Sequence, residues 1–189
     1  AQAYYSGEVK VLFAQKYSRA ADGGVGFAKA AGNYAAQFYP TNLANKKGYQ
    51  QIVWTDASTH EFLEEAGTMN VFFRVGDTLL TAPVNDRILD GITRKSIIAL
   101  AEQEGVTVEV RPVRVSEIVA ASKAGELKER FGAGTAAVVV PFTLFGHDEK
   151  EYQLPAQNED SYASRFKKAL NDIQYNRAED PMGWRREVK

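Results

Sequence analysis

The segment Ala136-Ala137-Val138-Val139-Val140-Pro141-Phe142 constrains the fold more than any other stretch of the chain. It holds no polar side chain. As a strand it would send apolar groups to both faces of a sheet, so both faces must be covered. Gly134 bounds the run on one side, and Pro141, which has no N–H to donate to a ladder, is expected at its other end.

The remaining pattern supplies strands and helices in alternation. Residues 7–14 begin with alternation at Val9 and Val11 and predict a strand. Residues 17–26 are polar and glycine-rich. Phe27, Ala31, Tyr34, Ala35 and Phe38 then fall on one helical face, with Pro40 expected to end or kink that helix. Gln51–Thr55 and residues 64–75 read as strands, and a turn at Asp77 leads into another at Thr78–Thr81. Thr93 is expected to cap a helix that turns Ile97, Leu100 and Ala101 inward and stops at Gly105. Val106, Val108 and Val110 alternate with polar residues as a half-buried strand. Ser116 should cap a further helix ended by Gly125. A last helix starts at Asp160 or Ser161, with Phe166, Leu170 and Ile173 inward. There is no repeat, low-complexity segment or linker, so the class is α/β or α+β.

Composition removes whole chemistries. The 189 residues carry 23 basic and 24 acidic side chains, which argues against a nucleic-acid partner. A hydrophobic content of 44% is too high for a disordered chain. With no cysteine there is no disulfide, thiolate nucleophile, cysteine zinc site or iron–sulfur cluster. No apolar run reaches membrane-spanning length and the opening residues show no secretory pattern. His60-Glu61 opens like a zinc-protease motif, but position 64 is Glu, so His60 and Glu64 are expected at the surface and no metal site is expected. No Gly-x-Ser-x-Gly elbow and no Gly-Lys dipeptide occur. Gly24-x-Gly26 is followed by Lys29 where a dinucleotide fingerprint needs its third glycine.

Four segments remain that can carry chemistry. Lys29 sits among small and apolar residues with no acid close by in sequence. If buried, its amine would be desolvated and suited to act as nucleophile or base; the plain alternative is a solvated lysine on a helix. Leu89-Asp90-Gly91-Ile92-Thr93-Arg94 places a glycine turn before a helix start, where free N–H groups attract anions; it also reads as a cap that binds nothing. Phe131-Gly132-Ala133-Gly134-Thr135-Ala136 lets backbone approach a ligand, or is simply a turn entering a buried strand. Glu64 and Glu65, adjacent in a strand, point to opposite faces. One can be buried beside a cation while the other stays in water, or both are surface groups.

Taken in order, these segments resemble the class IV (fold type IV) pyridoxal-phosphate transaminases, and within them the branched-chain amino acid aminotransferases. The resemblance runs from about Tyr17 to Tyr175. It rests on Tyr-Ser-Arg-Ala at 17–20, Lys-x-x-x-Asn-Tyr at 29–34 and Glu-x-Gly-Thr-Met-Asn at 65–70. Further along come Ile-Leu-x-Gly-Ile-Thr-Arg at 88–94, Phe-Gly-x-Gly-Thr-Ala at 131–136 and Asp-Ile-Gln-Tyr at 172–175. The Met in Gly-Thr-Met-Asn favours the branched-chain branch over D-amino acid transaminases and aminodeoxychorismate lyases.

The resemblance implies a mixed α+β domain with a barrel-like mixed sheet and flanking helices. It implies pyridoxal 5'-phosphate as cofactor, held by Lys29 as a Schiff base. Glu65 would pair with the pyridine nitrogen and Tyr34 with the phenolic oxygen. The amides of Ile92 and Thr93 and the hydroxyls of Thr93 and Thr135 would hold the phosphate. The amides of Thr135 and Ala136 would face the substrate carboxylate, and Arg19 matches a family arginine near the site. Substrates would be leucine, isoleucine or valine with 2-oxoglutarate. Asp90 stands where many relatives have proline, with little effect expected. The Cys-x-x-Cys of some animal members is absent. The family also carries a further N-terminal domain that nothing here matches. Residues 1–189 therefore read as the C-terminal cofactor-binding domain of a cytoplasmic, homodimeric or larger enzyme, with Ala1 at a truncation boundary. As an isolated chain it would transaminate or only bind ligand.

Overall fold

The computed structural model describes residues 9–188. They form a mixed α/β domain built on one curled ten-stranded sheet. In chain order the elements are β1 (Val9–Phe13), α1 (Ala31–Ala35), α2 (Phe38–Lys46), β2 (Gln51–Thr55), β3 (Phe62–Ala66), β4 (Asn70–Val75), β5 (Thr78–Thr81), α3 (Ile92–Gln103), β6 (Val108–Val110) and β7 (Val113–Arg114). After them come α4 (Val115–Lys123), β8 (Leu127–Gly134), β9 (Val138–His147), β10 (Lys150–Gln153) and α5 (Tyr162–Gln174). The strand expected over 7–14 is β1, and its first two expected positions lie outside the described residues.

The strand order is β6-β5-β4-β8-β9-β1-β2-β3-β7, with β10 added alongside β9. β1 runs parallel to both β2 and β9, whereas β8 is antiparallel to both β4 and β9. The apolar run lies at the centre: Val138 to Phe142 belong to β9, and Ala136 and Ala137 lie in the turn before it. Val139 faces the core beneath α3 and α5, and Val140 faces the core that holds β1 and α4, so the strand is covered on both sides.

Pro141 is not at the end of β9, which continues to His147. It sits where the strand changes partners. The ladder with β8 stops at Phe131↔Pro141, and the pairing with β1 begins at Phe142. A residue without an N–H is tolerated at such a changeover because one ladder has just finished.

Other boundaries also move. Residues 64–75 form two strands, because the chain turns at 67–69 and β3 and β4 join different halves of the sheet. The long helix expected from Phe27 is two short ones. Residue 29 lies in the loop before α1, and Phe27 and Phe38 are exposed rather than sharing a buried face. Pro40 falls in the first turn of α2, where its missing N–H costs no helical bond. The cap of α3 is Gly91, not Thr93, and α4 starts at Val115 after Arg114 rather than at a Ser116 cap. Gly105 and Gly125 do follow α3 and α4, with left-handed φ of 73° and 72°.

β8 and β10 are strands where no strand pattern was legible. β8 carries Glu129, which is buried because it meets α5 from the side. Its two oxygens accept the N–H groups of Tyr162 and Ala163 at 2.8 and 2.9 Å, and Arg74 donates to it at 2.8 Å. A long-range carboxylate thus caps α5, while Ser161, the N-cap residue, makes no side-chain cap bond.

Candidate active site

A cleft of about 270 Å³ opens where four segments converge. They are the loop leading from Arg19 into α1, the β3–β4 turn, the turn before α3, and the end of β8. Arg19, Lys29, Tyr34, Glu65, Ile92, Thr93 and Thr135 all line it. Ala136 does not; it is exposed one residue further along.

The loop that carries Lys29 is held by its own backbone contacts. At Gly26 it crosses the segment at Asp86 and Arg87 so closely that a Cβ would stand 2.7 Å from Asp86 O. Buried Asn33 then donates through Nδ2 to the carbonyls of Val25 and Ala28, both at 2.8 Å. Lys29 follows directly and is exposed, not desolvated. It makes no ion pair among the described residues.

Glu65 forms the polar floor. Only 6% of it is exposed. Arg19 approaches its Oε1 at 2.7 Å, and the Leu89 N–H donates to Oε2 at 3.1 Å. Burial raises the carboxyl to about 7, even though Arg19, the Leu89 N–H and Lys29 each favour the anion. Arg19 also donates to the carbonyls of Gly26 and Arg87, which ties the lysine loop to the floor. Glu64 is buried as well, contrary to the surface position expected for it. Its side chain points the other way along the strand, and its partner is Arg87, which also pairs with Asp22. His60 takes no part in either pairing; its Nδ1 lies 2.8 Å from Thr55 Oγ1.

At the anion end, α3 begins at Ile92 with no side chain capping it. The first N–H groups of a helix have no partner within it, so those of Ile92 and Thr93 are available to a ligand. Thr135 closes the opposite wall beyond Gly134, where a Cβ would meet Thr68 O at 3.1 Å. The cleft therefore joins an accessible amine, a buried carboxyl that titrates near neutrality, hydroxyls from Thr93 and Thr135, and a helix start open to an anion.

Reading the sequence by segment found the ends of this arrangement and missed its ties. Asn33, Asn70 and Arg87 had no assigned role, yet Asn33 pins the lysine loop onto itself, and Asn70 and Arg87 each bridge two segments. The available signal was a polar residue inside an apolar stretch, as at Asn70 before Val71-Phe72-Phe73.

The curled mixed sheet and its lysine-bearing cleft place the chain in a class. The family model for amino-transferase class IV matches residues 12–145, and the chain belongs to that family. Among individual proteins it is similar to a probable branched-chain-amino-acid aminotransferase of Staphylococcus epidermidis, 42% identical over 190 residues, which cover 98% of this chain and 53% of the relative. Branched-chain-amino-acid transaminase 1 of Bacillus subtilis is 38% identical and covers 95% of this chain and 51% of its own length. The crystal structure of the Escherichia coli branched-chain amino acid aminotransferase superposes with a TM-score of 0.78 at 25% identity, covering 94% of this chain and 55% of that one. The chain thus spans about half the length of the relatives it matches.

Proposed function

We propose that this chain is the cofactor-binding half of a branched-chain amino acid aminotransferase. The enzyme would use pyridoxal 5'-phosphate to move an amino group between leucine, isoleucine or valine and 2-oxoglutarate. One observation carries the reading. Lys29, Tyr34, Glu65, Ile92, Thr93 and Thr135, drawn from four separate motifs, line a single cleft in a class IV chain.

The donor set fits a phosphorylated pyridine aldehyde. The uncapped start of α3 suits its phosphate, with the Thr93 and Thr135 hydroxyls as further donors. Tyr34 offers a phenol to the ring oxygen. Glu65, with a carboxyl that titrates near 7, is suited to hold a proton shared with the ring nitrogen. When bound, the cofactor supplies a ring that accepts negative charge from the substrate α-carbon. The Lys29 amine would hold the aldehyde carbon, and as a free amine it would be the group placed to take the substrate α-proton and return it as general acid. Arg19 keeps Glu65 and the lysine loop in register. The Thr135 and Ala136 amides are the proposed contacts for the substrate carboxylate.

The same reading assigns a second, N-terminal domain to the whole enzyme, a homo-oligomer of at least two subunits and a cytoplasmic setting. No helix among the described residues is long and apolar enough to cross a membrane.

The test is optical. Adding pyridoxal 5'-phosphate should turn the protein yellow, borohydride should trap a covalent adduct, and Lys29→Ala should abolish both. A colourless wild type with no adduct overturns the cofactor reading. The substrate class is tested on the full-length enzyme with a panel of amino donors. Turnover of D-alanine but not of leucine, isoleucine or valine would move the chain to another branch of class IV.

A further inference from the structure

Asn70 opens β4 at the floor of the cleft and is buried. Its Nδ2 donates to Glu65 Oε2 at 3.3 Å and to the Leu89 carbonyl at 2.9 Å. The Leu89 N–H donates to that same Glu65 oxygen at 3.1 Å. These bonds close a ring through Asn70, Glu65 and Leu89. On its other side, Asn70 Oδ1 packs against the Gly91 backbone so tightly that a Cβ on Gly91 would collide with it. Gly91 is the N-cap of α3, and the next two residues carry the free N–H groups of the anion end.

We propose that Asn70 is a positioning residue that locks the acid end of the cleft to its anion end. The inference rests on the cofactor reading above and goes beyond it. Asn70 has one amide with two jobs. Its donor side fixes the Glu65 carboxylate and the Leu89 carbonyl, while its acceptor side sets how closely Gly91 can approach. The turn from Leu89 to Gly91 leads directly into Ile92 and Thr93, so a shift in this turn moves the phosphate donors and the Glu65 partner together. No side chain caps the helix start; Asn70 and Glu65 both hold Leu89 to the floor, and Asn70 is the one of the two that also touches Gly91. Phosphate occupancy and the environment of Glu65 are thereby coupled.

The coupling is read as the ratio of affinities for pyridoxal 5'-phosphate and for pyridoxal, measured by absorbance titration of the full chain. Asn70→Ala should lower this ratio about tenfold, the loss expected for one hydrogen bond to a charged group. The Lys29-dependent band with pyridoxal should persist. Gly91→Ala removes no hydrogen-bonding group and should lower the ratio similarly, because the new methyl pushes the turn off Asn70. The double variant should be no worse than the worse single, since removing Asn70 makes room for the methyl. If Asn70→Ala does not fold, Gly91→Ala carries the comparison alone. Equal weakening of both aldehydes, or strictly additive losses, would reduce Asn70 to a structural residue and overturn the proposal. A normal wild-type band with an unchanged ratio in the variants defeats this inference only. A wild type with no band for either aldehyde defeats the cofactor reading and this inference with it.

Discussion

Arg19, in the loop after β1, and Arg130, within the sheet, are both buried cations, and their surroundings are opposite. Arg19 meets a carboxylate and two carbonyls at the cleft. Arg130, on β8, is fully buried and none of its three guanidinium nitrogens has a hydrogen-bond partner. It lies against the rings of Phe13, Phe142 and Phe145, with its central carbon 5.4, 5.4 and 4.7 Å from their centroids. Burial holds it well below its ordinary value. Ring faces attract a cation, but they do not replace the water it has lost. The molecule gives one buried cation a carboxylate and two carbonyls where ligands would bind, with only its Nε left unpartnered, and leaves the other to aromatic contacts in the core.

The largest effect that would test this contrast comes from Arg19→Met. It strands Glu65 without its cation and should cost about 3–5 kcal/mol in chemical denaturation at pH 8. The loss should shrink at pH 5, where the carboxyl is neutral. A loss that does not change with pH would mean Arg19 acts through its carbonyl contacts alone.

Next in size is the effect of pH on the unliganded protein. Glu65 has a folded value of about 7 against an ordinary 4.5. The fold therefore favours its neutral form. That contribution is complete below about 4.5 and is lost as pH rises through 7, on the order of 3 kcal/mol. Glu65→Gln should flatten this part of the stability profile. An unchanged slope would place the titration elsewhere.

Arg130→Met should have the opposite sign to Arg19→Met. A side chain of similar length that needs no hydrogen bonds should leave stability unchanged or raise it by about 1–2 kcal/mol, seen as a higher melting temperature. A clear loss would show that the three rings fully compensate the charge, and the contrast with Arg19 would fail. The smallest effect is expected at the anion end. Thr93→Ala should weaken pyridoxal 5'-phosphate binding roughly threefold to tenfold by titration, since it removes one hydroxyl donor and leaves the backbone N–H groups and Thr135 to share the phosphate.

The same contrast explains what could be read from the chain. The central strand, α3, α4 and α5 were legible because their signals are local: an apolar run, a period of 3.6, and a glycine after the last turn. β8 was not, because Lys128-Glu129-Arg130 breaks any alternation. Glu129 finds its partners 33 residues away in α5 and 55 residues away at Arg74. β10 is a short polar edge strand with no pattern of its own. At the cleft, the motif-bearing residues were legible one segment at a time. What tied the segments together was not, since Asn70, Arg87 and Arg19 act on backbone and side chains from other parts of the sequence. The exposure of Lys29 was also hidden, because it depends on a helix starting at Ala31 rather than at Phe27, where the apolar spacing placed it.

The partner change within β9 bears on the order in which the chain folds. β4, β5 and β8 pair over shorter separations, whereas Val9↔Phe142 joins positions 133 residues apart (142 − 9). Closing so long a loop is entropically slow, and parallel pairing delays it further. β8 and the first half of β9 can form a hairpin early, while the second half waits for β1. Until they meet, β1 and β2 lack the strand that anchors them. During synthesis the half of the sheet that carries β1 and β2 is thus the last to become stable, and a ribosome paused before His147 would hold a chain with that edge unpaired.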